Sequence, residues 1–495
     1  MNYLLGYDIG SSSVKAALID GNSGKLLASV FSPASEMAIS SPRPGFAEQD
    51  PDRWWAELVH ATALLRQAAG FSPQEVMAIG ISYQMHGLVC VDRRQRPVRP
   101  AIIWCDSRAV SWGEKAFADL GEQFCLQHYL NSPGNFTASK LKWVMENEPR
   151  LYASIDRIML PGDYIAMRLT GTACTTVPGL SEAILWDYPT QQPAYALMQY
   201  YGIDPSLLPP LVPSFGEQGR LLPDPAGLLG LKAGTPVTYR AGDQPNNAYS
   251  LQVLEPGEIA ATAGTSGVVY GVTDRTDYDS ASRVNSFVHV NHQTGRPRLG
   301  ILLCLNGTGI LYSWLRRQFF AGQSYEDLNR EAAMVPTGSE GLLFYPFGNG
   351  AERILSNRDP GAALLGLQFN RHHRGHIARA AQEGIAFALN YGMEIMAGMG
   401  FSLARIRAGL ANMFLSELFA AQLANISGCC IELCKTDGAQ GAARAAGVGA
   451  GWFAGYRESF CGMEWARRIE PDPRQAGPTG LAYAHWKKHL NSFIT

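Results

Sequence analysis

The chain has 495 residues, 46% of them hydrophobic and 17% charged, with a formal net charge of −2. That length exceeds what one hydrophobic core serves, so two domains of comparable size are expected. A near-neutral balance with both signs mixed along the chain excludes a protein that holds nucleic acid through a basic surplus.

The N-terminal run Met1-Asn-Tyr-Leu-Leu-Gly-Tyr-Asp8 has no basic flank and is broken by a carboxylate, unlike a secretory signal. No stretch reaches the roughly 18–20 apolar residues of a membrane span. The nine cysteines are scattered and form no Cys-x-x-Cys pair. Free thiols in a reducing cytoplasm are the expectation.

Tyr3 to Tyr7 is short and apolar, a buried strand, followed by strands at Ala16 to Asp20 and Leu26 to Phe31. The pattern predicts a β-meander whose first turn is polar: Asp8-Ile-Gly10-Ser11-Ser12-Ser13-Val-Lys15. Gly10 allows close approach of a ligand, the serines can donate to oxyanions, Lys15 adds positive charge and Asp8 can hold a metal or water. A plain hairpin with solvated serines accounts for the same residues. Asp50 and Pro51 mark a helix start as N-cap and first residue.

Ile79-Gly-Ile81 then runs into Gln84-Met85-His86-Gly87, where an amide and an imidazole at a strand break suit a polyol; a structural histidine is the alternative. Pro100 to Trp104 leads to Asp106 and Arg108, which a local salt bridge would also explain. Further helices are expected from Asn135 through Phe136, Lys140 and Glu146, and from Leu160 to Thr170. A proline-rich excursion spans 204–236. The run Pro236 to Ala241 reaches Gly242 and delivers Asp243, followed by Gln244, into a turn.

Near Leu254 the pattern restarts: Glu258 to Ala263, then the Gly264-Thr265-Ser266-Gly267 turn, Val268 to Val272, and Arg298 to Leu305. This echo of the first meander predicts domains at 1–254 and 255–495, with a cleft between them. A helix carrying Trp314 follows Gly307-Thr308-Gly309, and Ala378 to Met396 is a strong helix. Arg405 to Gly409 reads as strand and glycine turn before a helix whose N-terminus suits phosphate or adenosine. The helix after Asp437-Gly438 is read as structural, its small residues allowing close packing. His372, His373 and His376 include an i, i+4 pair, but arginines surround it and metal binding is disfavoured.

The segments Gly6 to Lys15, Gln84 to Gly87, Arg99 to Arg108, Phe136 to Lys140, Ala241 to Asp243 and Gly264 to Val269 together resemble the FGGY carbohydrate kinases. That resemblance implies an α/β fold of two ribonuclease-H-like (actin/hexokinase-like) domains, the first sugar-binding and the second nucleotide-binding. It further implies a cytoplasmic, ATP- and Mg²⁺-dependent phosphotransferase with no nucleic-acid or membrane partner, and it allows a homodimer. The Gln-Met-His-Gly element points to a pentulose as acceptor, D-xylulose first. Another ketose or polyol (ribulose, fuculose, glycerol) and a catalytically silent sugar- or nucleotide-binding regulator are the alternatives.

Carried over by residue, the resemblance makes Asp243 the general base, with Asp8 and Asp243 at the metal. Gln84, Met85, His86, Asp106, Phe136 and Gln244 would face the sugar. Asp8, Gly10, Ser11, Ser12, Lys15, Thr265 and Gly309 would face the phosphates, and Gly409 and Asn412 the adenosine. The family's Gly-Gly-Gly-Ala-Lys-Ser adenosine loop is here Ala408-Gly409-Leu410-Ala411-Asn412-Met413, with Leu410 in place of a glycine and no lysine.

Overall fold

The structure, a computed structural model, describes residues 2–494. Apolar runs become strands, as period and length require. In the first unit these are β1 (Tyr3–Ile9), β2 (Val14–Asp20), β3 (Leu26–Ser32), β4 (Val76–Tyr83) and β5 (Val237–Gly242). Their sheet order is β5-β4-β1-β2-β3. Strands β1, β2 and β3 form the expected antiparallel meander, and β4 and β5 join it in parallel. Helix α1 (Pro51–Ala69) starts where the sequence places it: the Asp50 side chain accepts from the Asp52 N–H, Pro51 is the first residue, and Gly70 closes the helix in the left-handed region.

The sheet's closest neighbour is the helix Gly438–Gly449. It lies so near β1 and β4 that a Cβ at Gly6 would overlap the Ala439 carbonyl oxygen, and one at Gly80 the Ala442 carbonyl oxygen. Only glycines on the strands and a run of Gly and Ala on the helix permit this contact. The small-residue reading of that helix from sequence is borne out.

The second unit repeats the order with β6 (Glu258–Ala263), β7 (Gly267–Thr273), β8 (Leu299–Leu305), β9 (Arg405–Gly409), β10 (Ile431–Lys435) and β11 (Glu464–Ile469). The sheet runs β8-β7-β6-β9-β10-β11, with one further short strand beyond β8. Strands β6 and β7 are antiparallel, while β6, β9 and β10 are parallel. A three-strand meander extended by two parallel strands thus occurs twice, which is the two-domain ribonuclease-H-like α/β fold.

By spatial grouping the first unit comprises Met1–Gln252, Phe287–Leu299 and Thr436–Met463; the second comprises Val253–Ser286, Gly300–Lys435 and Glu464–Thr495. The chain therefore passes between the units more than once, which a single cut at 254/255 does not describe. Among the described residues no helix is long and apolar enough to cross a membrane.

Replacing Gly80 by alanine forces the Gly438–Gly449 helix off β4, because the obstructing atoms are backbone. We expect a loss of about 1–3 kcal/mol or more, read as a lower urea midpoint for Gly80→Ala. Gly227→Ala, whose added Cβ meets nothing within 4 Å, is expected to leave the midpoint in place.

Candidate active site

Asp243 is not in a turn, as the sequence suggested, but is the first residue of a helix, Asp243–Ser250, that follows β5 directly. The glycine before it is obligatory: a Cβ at Gly242 would lie 2.6 Å from Met85 Cγ and 3.1 Å from Glu182 Oε1. Burial, then the charge of Asp8, push the Asp243 carboxyl up to about 7, against hydrogen bonds from the Gln244 backbone and side chain that favour the ionised form. Gln244 thus orients the carboxylate, and its own Oε1 is buried with no hydrogen-bond partner among the described residues.

Asp8 stands near the end of β1, opposite Lys15 in the β1–β2 register and beside Ser82 on β4. Its Oδ1 accepts from the Ser82 hydroxyl at 2.8 Å. Burial raises the Asp8 carboxyl, while Lys15 and Ser82 pull it down and Asp437 adds to the rise. A Cβ at Gly438 would come within 2.5 Å of Asp8 Oδ2, so the Gly438–Gly449 helix begins directly over this carboxylate. In the adjoining turn Gly10 donates its N–H to the Ser13 carbonyl. Ser11 is held by Gln49 Nε2 on its carbonyl, Ser12 is exposed, and Lys15 is exposed.

The Gln84–Gly87 segment leaves β4 and turns sharply at His86, whose φ is +60°. Its ring meets Phe136 edge-on at 4.9 Å and lies 5.2 Å from Phe287. Met85 is buried against Gly242. Gln84 is buried and turned away, donating to Gln49 Oε1 at 3.3 Å. Asp106 is fully buried and already accepts from Ala47 N, Arg108 N and the Arg108 guanidinium. Its carboxylate therefore fixes its own loop, the salt bridge anticipated as the plainer reading.

In the second unit the hydroxyl turn between β6 and β7 is braced by a helix, α2 (Gly309–Phe319). Gly309 N donates to the Gly264 carbonyl at 2.7 Å, and Ile310 N to the Thr265 carbonyl at 3.2 Å. The Thr308 hydroxyl also donates to the Gly264 carbonyl, at 2.8 Å. Gly309 thus spends its N–H on shaping the turn and leaves Thr265 and Ser266 exposed. A Cβ at Gly264 would be 3.4 Å from Asn412 Nδ2, so residues 264–265, 309 and 412 come together. After Gly409 the chain does not enter a helix at once. A 3₁₀ turn, Asn412–Leu415, intervenes, and the next helix (Glu417–Ser427) is capped by Ser416, whose side chain accepts from Phe419 N.

No local signal in the sequence marks Glu182, Tyr83 or Asp437 as parts of this site. Glu182 is a lone acid in an apolar stretch, Tyr83 reads as a strand residue, and Asp437 reads only as a helix cap. Lys140 was visible only as part of a motif; its ammonium, buried, donates to the His86 carbonyl at 2.9 Å and the Ile103 carbonyl at 3.0 Å. The histidine cluster at 372–376 is explained by helix capping, His373 accepting from Gly375 N, and by a hydrogen bond between His376 Nε2 and the Glu340 carboxylate at 3.2 Å. Among the described residues no group of three or more His, Cys, Asp or Glu could hold a metal ion.

Two family models match the chain: the N-terminal domain of the FGGY family of carbohydrate kinases over residues 3–249, and its C-terminal domain over residues 259–450. The xylulose kinase of Escherichia coli (strain K12) is 30% identical over 90% of this chain and 90% of its own. That of Bacillus subtilis (strain 168) is 28% identical over 94% and 92%. Among solved structures, the xylulose kinase from Rhodospirillum rubrum superposes with a TM-score of 0.88 at 25% identity, covering all of both chains. The chain belongs to the FGGY family of carbohydrate kinases.

Proposed function

We infer that this carbohydrate kinase transfers the γ-phosphoryl group of ATP to a pentulose, D-xylulose on its 5-hydroxyl, in the cytoplasm. The observation that carries the reading is the Asp243 carboxyl, positioned by Gly242 at a helix start and raised to about 7 by burial and by Asp8. A carboxylate so tuned accepts a proton from a bound hydroxyl at neutral pH far better than an ordinary aspartate. The relatives' names, all xylulose kinases among those cited, support the choice of sugar.

In this reading the two units divide the work. His86, Met85 and Phe136 bind and orient the sugar, and Asp243 takes the proton of the hydroxyl that attacks phosphorus. Gln244 holds the Asp243 carboxylate in place by two hydrogen bonds. Thr265 and Ser266, kept exposed by the Gly309 and Thr308 bonds, donate hydroxyls to the nucleotide's phosphates, and in the first unit Ser11, Ser12 and Lys15 offer hydroxyls and positive charge suited to an anion. Gly409 and Asn412 face the adenosine. Most of the acceleration then comes from alignment and neutralised charge rather than from covalent chemistry.

Magnesium fits the residues present. Asp8 and Asp243 are hard oxygen donors, the charge of Asp8 raising the proton affinity of Asp243, and one or two carboxylates with phosphates are its usual company. Once bound, the ion would neutralise charge on the phosphoryl oxygens.

A coupled assay of ADP release across ketopentoses, polyols and hexuloses tests the substrate. D-Xylulose is expected to give the highest kcat/KM, and a buffer-level rate with D-xylulose alongside turnover of another sugar would reassign the acceptor. For Asp243→Asn we expect a loss of turnover of at least ~10³-fold with sugar affinity retained in equilibrium binding. In the intact enzyme kcat/KM for the sugar is expected to fall tenfold per pH unit on the acid side, since the required form is the deprotonated one, and the break should move from about 7 toward lower pH as magnesium is raised.

The same carboxyl gives a stability test. Its folded-state proton affinity is above the unfolded value, so folding favours the protonated form. Stability is therefore expected to fall as pH rises from about 4 to about 7. Asp243→Asn removes that cost and should stabilise the protein at pH 8 by roughly 1–3 kcal/mol once the lost Gln244 bonds are set against it. At pH 4 it should change little, and thermal unfolding at the two pH values reads the difference.

A further inference from the structure

Glu182 ends the helix Val177–Glu182 and is 2% exposed. Its two carboxylate oxygens have separate tasks. Oε1 accepts the Tyr83 hydroxyl at 2.6 Å, from the last residue of β4. Oε2 accepts the His86 N–H at 3.0 Å, fixing the backbone where φ is +60°. The Glu182 carbonyl oxygen lies 2.9 Å from His86 Nδ1, and Oε2 lies 3.6 Å from the same nitrogen. The carbonyl oxygen can only accept, so Nδ1 carries the proton and, in the neutral ring, Nε2 is the acceptor. A left-handed backbone at a non-glycine residue persists only where its surroundings hold it.

From this we propose that Glu182 is a positioning residue for the sugar: it sets the backbone turn and the ring tautomer of His86 so that Nε2 receives a hydrogen bond from a sugar hydroxyl. The proposal rests on the reading of His86 as a sugar-binding residue. Glu182 also touches the other half of the reaction, because Gly242 packs within a Cβ's reach of its Oε1 immediately before Asp243. Lys140 completes the clamp by binding the His86 carbonyl. One buried acid thereby ties the sugar loop to the strand that carries the base. An apolar side chain of equal size loses both bonds, and a glutamine that keeps its Oε on the His86 N–H turns its NH₂ toward the Tyr83 oxygen and leaves the buried Tyr83 O–H without the acceptor that Glu182 gives it.

A double-mutant cycle in the full-length enzyme tests the assignment. Glu182→Gln is expected to raise KM for D-xylulose on the order of tenfold, with KM for ATP unchanged. His86→Ala is expected to raise the same KM at least as much, and Glu182→Gln added to His86→Ala should add less than about twofold. Multiplicative effects in the double variant, or an equal rise in both KM values, would overturn the positioning role and leave a general structural one. If His86→Ala alone leaves the sugar KM unchanged, the reading of His86 fails instead, whatever Glu182 does. Should Glu182→Gln not fold, Tyr83→Phe takes its place in the cycle. It removes only the Oε1 donor, is expected to raise sugar KM about two- to fivefold, and overturns the proposal if it has no effect that depends on His86.

Discussion

The contact between the Gly438–Gly449 helix and the first sheet sets the positions of both carboxylates. Backbone touches backbone at Gly6 and Gly80, so the helix has no freedom to slide or lift. From that fixed seat its first residue closes over Asp8. Its carbonyl at Gly438 accepts from Asn246 Nδ2 at 2.9 Å, tying down the short helix that Asp243 opens. A Cβ at Gly441 would meet Ser250 Cβ at 2.6 Å, so that helix is packed from its far end as well. The helix that sequence reasoning set aside as structural is indeed structural, and for that reason it governs the chemistry.

The consequence is electrostatic. Two carboxylates held near each other in a packed environment cannot both ionise cheaply. Asp8 has Lys15 and Ser82 to lower its proton affinity; Asp243 has hydrogen bonds from Gln244. The balance leaves Asp243 at about 7, a value its own backbone position would not produce, since a helix N-terminus stabilises negative charge. Burial and the neighbouring charge outweigh the helix end. The same groups that cost stability at neutral pH are those a proton-accepting site requires, a trade common where function and packing compete.

Much of this was legible in the chain. Strand runs, the Asp50–Pro51 helix start, the two meanders and the Gly242–Asp243 junction could be read from periodicity and turn residues, because those signals are local. The helical placement of Asp243 was missed because nothing in Asp-Gln-Pro-Asn-Asn distinguishes a turn from a helix start with proline in its first turn. Glu182 and the over-reach of Gly438 onto Asp8 were missed for another reason. Each depends on residues tens or hundreds of positions apart, and a single sequence holds no record of such pairings. Asp106 shows the reverse case, a residue singled out by its motif whose oxygens are spent on Arg108 and Ala47.

The repeated sheet makes the division of labour intelligible. In the first unit β1 ends near an acid, Asp8, and its meander turn is followed by Lys15. In the second, β6 ends in Ala263-Gly264 and the equivalent turn offers Thr265 and Ser266. Geometry alone would allow either unit to do either task. An acid in the second turn would repel phosphate, whereas hydroxyls and glycine let donors approach an oxyanion without adding like charge. Helix α2 then sharpens the difference by spending its first N–H groups on the carbonyls of Gly264 and Thr265. The turn is rigid before any ligand arrives, and less ordering remains to be done on binding. The two halves share a scaffold and differ in the side chains at the same turn, an acid and a lysine flanking it in the first and a threonine and a serine within it in the second.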